Sequence, residues 1–261
     1  MKVISRLDYA YAVGRVRALE KDLITKGVFL EAAREKTLDS SLKVIFDEGR
    51  FLTEKLEVHD SGQLDGFLDY EEQDLKKTMA ELLLEEALLE VFHGLETPGA
   101  VLGSPSVKHY SFIAGYLRHK VDLVNMKVFI RMRYAGREPG PFRKVRLPGG
   151  WLDDGFFLDH YELPFSDVGE RLYASPYQET WQRGIEVLES ENSFVGLERE
   201  MEDFLMNHLR QARHVVFGPE PVWAYGVARI KELRQVRLIG IGKINQVPAE
   251  ILRERITQTY V

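Results

Sequence analysis

The residues that come nearest to a chemical motif are the glycines and the lysine of LIGIGKIN, at residues 238–245. A phosphate-binding loop of the Walker type has a glycine five residues before the Gly-Lys pair, but Arg237 stands at that position. A dinucleotide-binding fingerprint needs a third glycine or alanine where this chain has Asn245. The stretch therefore favours close packing of two helices, and we expect the isolated chain neither to bind nor to hydrolyse ATP.

Histidines and acids are the other candidates for chemistry. No two of the 7 histidines have the spacing of three or four residues that places two metal ligands on one helix face. Glu90-x-x-His93 occurs once, whereas a di-iron bundle needs two copies. The best remaining group lies in one turn-rich segment and consists of Asp153, Asp154, Asp159 and His160. A metal-dependent enzyme built on Asp153, Asp154 and His160 thus stays open as a hypothesis, against the simpler interpretation of a turn.

Other classes of site are excluded or disfavoured by composition. The chain has no cysteine, which excludes disulfides, cysteine nucleophiles and cysteine-ligated metals. It also has no Gly-x-Ser-x-Gly elbow for a serine nucleophile. Trp151, Trp181 and Trp223 are interpreted as anchors of the core or of an interface. We expect no cofactor.

Charge is unevenly distributed along the 261 residues, although the formal net charge is only −6. The range 47–96 has 15 acids and 4 bases, 100–150 has 10 bases and 2 acids, and 229–255 has 7 bases and 3 acids. Such blocks predict a dipolar surface that fits between two oppositely charged partners, unless they are only solvated helix faces. The basic stretch 108–146 also carries interleaved aromatic residues, which leaves a helical nucleic-acid-binding protein as an alternative function.

The elements that must position these residues are helices, because apolar residues recur with a period of about 3.6 and no period-2 strand longer than four residues is evident. The range 136–164 is the one long stretch predicted without a helix. No apolar run approaches the ~20 residues that cross a bilayer, and the N-terminus shows no secretory signal. The predicted helices are Tyr9–Ile24, Glu71–His93, Ser106–Tyr134, Tyr173–Leu188, Gly196–Val216, Pro221–Ile241 and Pro248–Thr257.

One face of the predicted helix Ser106–Tyr134 is basic. Lys120, Lys127 and Arg131 recur at intervals of seven and four residues, which places them on one side of a helix. We expect this face to contact a partner, unless it is merely solvated. The neighbouring apolar stripe is predicted to be buried and includes Val121, Val124 and Val128.

Two stretches 110 residues apart are similar in pattern. VDLVNMKVFIRMR begins at Val121 and KELRQVRLIGIGK begins at Lys231, and each contains an acid, two residues, a carboxamide, an apolar residue and a base. This similarity predicts a duplicated helical unit with repeat helices around 107–135 and 221–244. The matched positions are Asp122 with Glu232, Asn125 with Gln235 and Lys127 with Arg237.

Four blocks together resemble the C-type subunits of archaeal and bacterial V/A-type ATPases, the same family as the d-type subunit of the eukaryotic vacuolar ATPase. The blocks cover most of the chain, which favours a single all-α domain over residues 1–261. They are DYAYAVGRVRALEKDLI from Asp8, YLRHKVDLVNMKVFIRMRYAG from Tyr116, LPGGWLD from Leu147 and PVWAYGVARIKELRQVRLIGIGKINQVPAEILRERI from Pro221.

The resemblance implies an all-helical, funnel-like socket built from pseudo-symmetric repeats, without catalytic residues or a cofactor. It implies a peripheral position on the cytoplasmic face of the membrane, with the central-shaft subunits and the membrane proteolipid ring as partners and torque passed between them. Archaeal-type members usually carry three repeats, whereas two are recognisable here. A shortened or open socket is therefore expected.

Overall fold

The computed structural model describes residues 4–51, 58–104 and 107–261. Every regular element in these ranges is a helix and none is a strand, which confirms the all-α prediction. Short 3-10 helices lie at Arg6–Tyr9, Glu20–Asp22, Val107–His109 and Gln211–His214. The α-helices are α1 (Ala10–Leu19), α2 (Lys26–Arg34), α3 (Leu38–Glu48), α4 (Ser61–Leu82), α5 (Glu86–His93), α6 (Pro98–Val101), α7 (Ser111–Tyr134), α8 (Pro139–Val145), α9 (Asp154–Asp159), α10 (Phe165–Arg171), α11 (Gln178–Glu191), α12 (Val195–Arg210), α13 (Glu220–Ile244) and α14 (Ala249–Arg255).

The chain divides into two compact units. The first joins Met1–Phe92 to Met206–Val261, and the second is His93–Leu205. Helix α13 is the longest helix of the first unit and α7 is the longest of the second, and these two helices overlap the predicted repeat ranges. The single domain over residues 1–261 and the funnel-like arrangement stay predictions. Among the described helices, none has both the length and the hydropathy of a membrane span.

Helix α13 forms the centre of the first unit. It contacts α1, α2, α3, α4 and α14, and it is buried on nearly all sides. A Cβ atom on Gly240 would overlap the Leu64 side chain of α4, and one on Gly242 would overlap Leu252 of α14. The glycines of LIGIGKIN thus allow two helices to approach α13, as the sequence predicted.

Helix boundaries differ from the predicted ones where local hydrogen bonds override the periodicity. The predicted helix Glu71–His93 is two helices, since α4 starts at Ser61 and the backbone leaves the helix after Leu82. The Leu84 N–H donates to the hydroxyl of Tyr9 at 3.2 Å and not to a helical carbonyl. At the start of α4, the Asp60 carboxylate accepts the Gln63 N–H at 2.8 Å.

Several other predicted boundaries were wrong. Helices α2 and α3 were not predicted, and α3 starts at a cap in which Thr37 accepts the Ser40 N–H at 3.1 Å. The range 136–164, predicted without a helix, contains α8 and α9. Helix α11 starts only at Gln178, because Ala174 has a φ of 64° that no helix continues. Helix α7 starts at Ser111, and the predicted start at Ser106 lies outside the described residues.

Candidate functional site

In the second unit, side chains of α7 hold the backbone of the segment 147–152. Arg118, Asp122 and Asn125 are four and three residues apart and so share one face of the helix. The Asn125 Nδ2 donates to the Leu147 carbonyl at 2.8 Å, and its Oδ1 accepts the Leu147 N–H at 2.8 Å. Leu147 lies outside any helix, and the Asn125 side chain thus satisfies both its N–H and its carbonyl group. We call these three side chains and the segment the α7 clamp.

Asp122 is the buried acid of the α7 clamp, with 0% of its surface exposed. Its carboxylate accepts the N–H groups of Trp151 at 2.9 Å and Leu152 at 3.1 Å, and the hydroxyl of Tyr177 at 2.6 Å. Burial raises the pKa of Asp122, and these three hydrogen bonds oppose the rise. A Cβ atom on Gly150 would overlap the Asp122 carboxylate, so only glycine allows this approach.

His119 extends the hydrogen-bond chain from Asp122. Its Nδ1 lies 2.7 Å from the Tyr177 hydroxyl oxygen. The single hydroxyl hydrogen of Tyr177 goes to Asp122, so His119 Nδ1 is the donor in this contact. The imidazole also packs edge-on against the rings of Tyr177 and Phe204, at 5.5 and 5.0 Å between centroids. Burial, followed by the nearby carboxylate, raises the pKa of Tyr177 far above its ordinary value.

The first unit contains a related arrangement on α13, which we call the α13 clamp, formed by Glu232 and Gln235. The Gln235 Oε1 accepts the Thr257 N–H at 3.2 Å. Asn125 and Gln235 are 110 residues apart, and each bonds to a residue 22 positions further along. The carboxamide contact therefore recurs at the offset seen in the sequence.

The turns that follow α7 and α13 also match at this offset. The Arg137 N–H donates to the Met132 carbonyl at 2.9 Å, and the Val247 N–H donates to the Gly242 carbonyl at 2.8 Å. A left-handed residue occupies each turn, with φ of 62° at Gly136 and 55° at Gln246. Both are the 6→1 hydrogen bond of a Schellman helix end. The helix stop is thus the same in the two units. The pairs of residues matched at the offset of 110 are Met132 with Gly242, Gly136 with Gln246 and Arg137 with Val247.

The buried acid of the α13 clamp has different partners from Asp122. Glu232 accepts the Ile24 N–H at 2.6 Å and forms an ion pair with the guanidinium of Arg229. Arg229 also pairs with Glu71 at 3.0 Å and donates to the Arg50 carbonyl at 2.9 Å. Burial raises the pKa of Glu232, and the Arg229 charge opposes the rise. Here a cation compensates the buried carboxylate.

The three predicted interface bases form pairs inside the second unit. Lys120 Nζ donates to the Leu95 carbonyl at 2.5 Å, and its side chain is only 17% exposed. Arg131 donates to Glu198 at 2.7 Å, and Lys127 lies 3.8 Å from the same carboxylate. Lys120 is thus largely withdrawn from solvent, whereas the side chains of Lys127 and Arg131 are 38% and 51% exposed. Contact of this face with a partner stays a prediction.

The apolar stripe beside these bases is only partly where the sequence placed it. Val121 is buried, but Val124 and Val128 are half-buried. Val124 lines a cleft of about 140 Å³ between α7 and α12. Burial instead extends around α7, because α7 packs on more than one side. The most buried apolar residues of α7 are Ile113, Tyr116, Leu117, Val121, Leu123, Met126, Phe129 and Ile130.

Three of the six aromatic residues in the basic stretch 108–146 are buried, and the exposed Tyr134 packs edge-on against Phe194 at 5.2 Å between centroids. Tyr116, Phe129 and Phe142 are at most 1% exposed. Arg133 lies over the ring of Phe129 at 5.1 Å and donates to a carbonyl of its own unit. Rings packed in a core cannot stack on nucleotides, so the geometry does not favour the nucleic-acid alternative.

The side chains of the candidate metal residues each bind another group of the protein. Asp153 caps α9 by accepting the Phe156 N–H at 2.9 Å, and Asp154 pairs with Arg146. His160 Nδ1 lies 2.6 Å from the Phe156 carbonyl oxygen. Across residues 4–51, 58–104 and 107–261, no group of three or more His, Asp or Glu side chains is placed to hold a metal ion. The segment is a helix cap and an ion pair, so the geometry does not favour the metal-dependent alternative.

A cleft of about 280 Å³ in the first unit was not predicted from the sequence. Its charged lining comprises equal numbers of bases and acids, and several are already paired, including Arg15 with Glu81 at 2.8 Å and Arg50 with Asp22 at 3.7 Å. A balanced, internally paired lining offers no excess of cations for a phosphate. The charged residues are Arg15, Asp22, Arg50, Glu71, Asp74, Lys77, Glu81 and Arg229.

One family model and two curated relatives are similar to this chain. The sequence model of the family described as ATP synthase (C/AC39) subunit matches residues 63–255, which include Asp122, Asn125, Glu232 and Gln235. The C-type subunit of the V-type sodium ATPase of Enterococcus hirae is 28% identical over 140 residues, which are 54% of this chain and 42% of the relative. The C-type subunit of the A-type ATP synthase of Methanococcoides burtonii is 23% identical over 177 residues, 66% of this chain and 48% of the relative. The chain spans about half the length of these curated relatives. On this evidence the chain belongs to the ATP synthase (C/AC39) subunit family.

Proposed function

We propose that this chain is a non-catalytic central-stalk subunit of a V/A-type rotary ATPase. It connects the central shaft to the membrane proteolipid ring at the cytoplasmic face and transmits torque for coupled ion transport and ATP synthesis or hydrolysis. The observation that carries the proposal is the family match over residues 63–255. The names of the two relatives, each a C-type subunit of a V-type or A-type enzyme, support it.

The internal construction of each unit suits a part that transmits force. Packed helical cores have low compressibility, so they pass displacement on without absorbing it. The segments after α8 and α14 are tied to the long helices through Asn125 and Gln235. A segment held by its backbone moves with the helix that holds it. These features support a coupling role and need no catalytic group.

We also propose that the two units descend from one duplicated helical unit. The offset of 110 residues relates the sequence pattern, the carboxamide contacts of Asn125 and Gln235, and the left-handed turns at Gly136 and Gln246. The recurrence of these local features at one offset supports a common origin.

Affinity purification from membranes of the native host tests the function. The tagged chain is extracted in mild detergent, and the recovered proteins are identified by mass spectrometry. We expect shaft subunits and proteolipid to co-purify in constant ratio with the catalytic head, and the isolated chain to show no ATP hydrolysis. Recovery of the chain alone contradicts the proposal. Recovery of nucleic acid that is lost steeply with salt would support the nucleic-acid alternative instead.

The basic face of Lys120, Lys127 and Arg131 is proposed to contact one of these partners. Reversal of Lys127 and Arg131 alone would also break their pairing with Glu198. The exchange of Arg131→Glu with Glu198→Arg keeps an internal pair but changes the charge order that a partner meets. Weakened co-purification of the exchanged chain supports the contact, and assembly like the wild type overturns it.

A matched control for this exchange lies on α11. Glu179 and Arg183 form an exposed i,i+4 pair whose side chains are 73% and 61% exposed. Their exchange alters surface charge in the same unit without touching α7. Since exposed pairs contribute little to folding, the control should fold and assemble like the wild type.

A further inference from the structure

The second unit exposes a tryptophan that the fold holds in a fixed place. Trp151 is 61% exposed, whereas Trp181 and Trp223 are 1% and 0% exposed. Exposure of an indole forgoes the large burial energy that the ring offers. The other large apolar side chains of the α7 clamp, Leu147 and Leu152, are half-buried. The exposed ring therefore invites a functional explanation.

The backbone that carries Trp151 is rigidly positioned. Its N–H donates to the buried Asp122 at 2.9 Å, and Gly150 before it leaves no space for any side chain. The Arg118 guanidinium lies 4.8 Å from the centre of the indole ring, and its Nη1 lies 3.4 Å from the Gly149 carbonyl. The ring is thus fixed by the backbone from below and by a cation on one face.

Basic residues are frequent in the sequence before the exposed ring, and one further cation, Arg118, contacts the ring itself. The range 137–152 has four bases and one acid, and Arg143 and Lys144 are exposed. Val145, the next residue, is 56% exposed. Asp154, which follows the segment, is already paired with Arg146. The stretch that carries the exposed indole is therefore predominantly cationic.

The matched segment at the end of the chain has no exposed aromatic residue at the position of Trp151. At the offset of 110, Val261 corresponds to Trp151 and Tyr260 corresponds to Gly150. Tyr260 is 2% exposed and Val261 is half-buried. The exposed indole is therefore a feature of the α7 clamp and not a necessary result of clamping the segment.

We propose that Trp151 anchors a docking surface for an acidic segment of another subunit of the rotary complex, with an apolar slot for the indole. The surface consists of Val145 and Trp151 with the cations Arg118, Arg143 and Lys144. This inference rests on the proposed function, since it takes the partner from that complex. Charge complementarity selects an acidic partner. A pre-organised tryptophan next to arginine is typical of the centre of a protein interface, whereas a membrane surface needs no such rigid presentation.

The test measures binding of the purified chain to the detergent-solubilised rotary ATPase from a host strain that lacks the chain. Trp151→Ala should weaken binding about tenfold or more, because truncation of an interface tryptophan commonly removes that much affinity. Tyr173→Ala is the matched control, since Tyr173 is 79% exposed in the same unit. It should bind within about threefold of the wild type. A thermal unfolding midpoint unchanged within about 2 °C shows that each variant is folded.

Charge reversal at Arg143 and Lys144 tests the acidic character of the partner separately. Arg143→Glu with Lys144→Glu should slow association and reduce its dependence on salt, because long-range attraction to an acidic partner is lost. Salt dependence equal to that of the wild type would overturn the acidic partner.

A label on the chain gives a direct readout of the ring. With 5-hydroxytryptophan in place of tryptophan, the emission of this chain is excited apart from that of the other subunits. Since the other two indoles are buried, the iodide-quenchable emission comes from position 151. We expect this quenchable fraction to fall at least twofold on assembly, by analogy with the burial of interface anchors. An unchanged fraction overturns the inference.

The outcomes separate this inference from the proposed function. If the wild-type chain does not bind the complex, the proposed function is wrong and the docking surface is wrong with it. If the wild type binds and Trp151→Ala binds equally well, only the docking surface is wrong. If protein-free vesicles with about one-third anionic phospholipid bind the wild type but not Trp151→Ala, a lipid surface is the ligand and the protein partner is overturned.

Discussion

The α7 clamp and the α13 clamp hold their segments through the same carboxamide contact but compensate their buried acids in different ways. Asp122 accepts only from neutral donors, namely two backbone N–H groups and the hydroxyl of Tyr177. Glu232 accepts one backbone N–H and pairs with the buried guanidinium of Arg229. Each acid is at most 5% exposed. The requirement to satisfy a buried carboxylate is therefore shared, but the means are not.

The two acids are compensated differently because different residues stand at the position 110 before Arg229 and at Arg229 itself. The earlier position is His119, which donates to Tyr177 and not to the acid. Where a tyrosine from α11's N-terminal end reaches the carboxylate, a hydrogen-bond chain is sufficient. Where none reaches it, a cation is required, and that cation then needs the second acid Glu71. Two helices matched at this offset thus carry different polar networks beside the same carboxamide contact.

The largest expected effect tests this difference at the equivalent positions. Arg229→Met should cost about 3–5 kcal/mol of unfolding free energy, because it leaves Glu232 and Glu71 buried without their cation. His119→Met should cost about 1 kcal/mol, since it removes the hydrogen bond to Tyr177 but leaves the three donors of Asp122 in place. Urea unfolding of both variants measures the two values. Equal losses for the two variants would contradict the claim that only Glu232 depends on a cation.

The second-largest loss of stability is expected at Gly150, whose backbone lies against the Asp122 carboxylate. Gly150→Ala should cost about 2–3 kcal/mol, because the added methyl overlaps the Asp122 carboxylate and the segment must shift. Gly140→Ala is the control, since a Cβ atom there meets nothing within 4 Å and α8 favours alanine. The control should be neutral or stabilising. A Gly150→Ala chain as stable as this control would show that Asp122 does not approach the segment so closely.

Asp122→Asn tests the acid of the α7 clamp and carries a pH signature. At neutral pH we expect a loss of about 2 kcal/mol, because the amide presents a donor where the carboxylate accepted. Burial raises the pKa of Asp122 above its unfolded value, so the folded chain binds this proton more tightly. The stability advantage of the wild type over the variant is then largest below the unfolded pKa. It falls as the pH rises towards the raised folded pKa, and it is constant above that.

Paired urea titrations of the wild type and Asp122→Asn between about pH 4 and pH 7 measure this trend, since the difference cancels groups common to both chains. An advantage that grows with pH would mean that the folded pKa of Asp122 is lowered and that its hydrogen bonds outweigh burial.

The smallest expected effect compares the two carboxamides. Asn125→Leu should cost about 2 kcal/mol, because it removes two hydrogen bonds of 2.8 Å to Leu147. Gln235→Leu should cost about 1 kcal/mol, because the contact with Thr257 is a single bond of 3.2 Å. Chemical denaturation separates these values. A larger loss at Gln235 would indicate that the α13 clamp depends on its carboxamide more than the geometry suggests.

Local patterns predicted much of the fold because helices are defined by nearest neighbours along the chain. The periodicity located α7 and α13, and the glycines at 240 and 242 were correctly interpreted as sites of close helix packing. The boundaries failed where capping or a side chain from far away intervened, as with Tyr9 at the end of α4. The short helices α8 and α9 escaped because two turns of chain show too little periodicity.

The candidate site was less predictable than the helices. The sequence pattern singled out Asp122 and Asn125 as matches of Glu232 and Gln235, but it could not show what these side chains bind. It placed Lys120 on an exposed face, although the Leu95 carbonyl draws it inward. A signal for the α7 clamp was present in LPGGWLD, since two adjacent glycines permit a backbone approach that other residues forbid.

The sequence by itself determined an all-helical chain, a repeated acid and carboxamide at an offset of 110, and a charge pattern without catalytic motifs. These properties follow from spacing along the chain, which sequence records directly. Only the tertiary structure decided that Tyr177 serves Asp122 and that Arg229 links Glu232 to Glu71. Residues 55 and 158 positions apart meet in these contacts. Such meetings depend on how helices pack, because the free energy of a buried charge is set by whichever groups the fold brings within hydrogen-bonding distance.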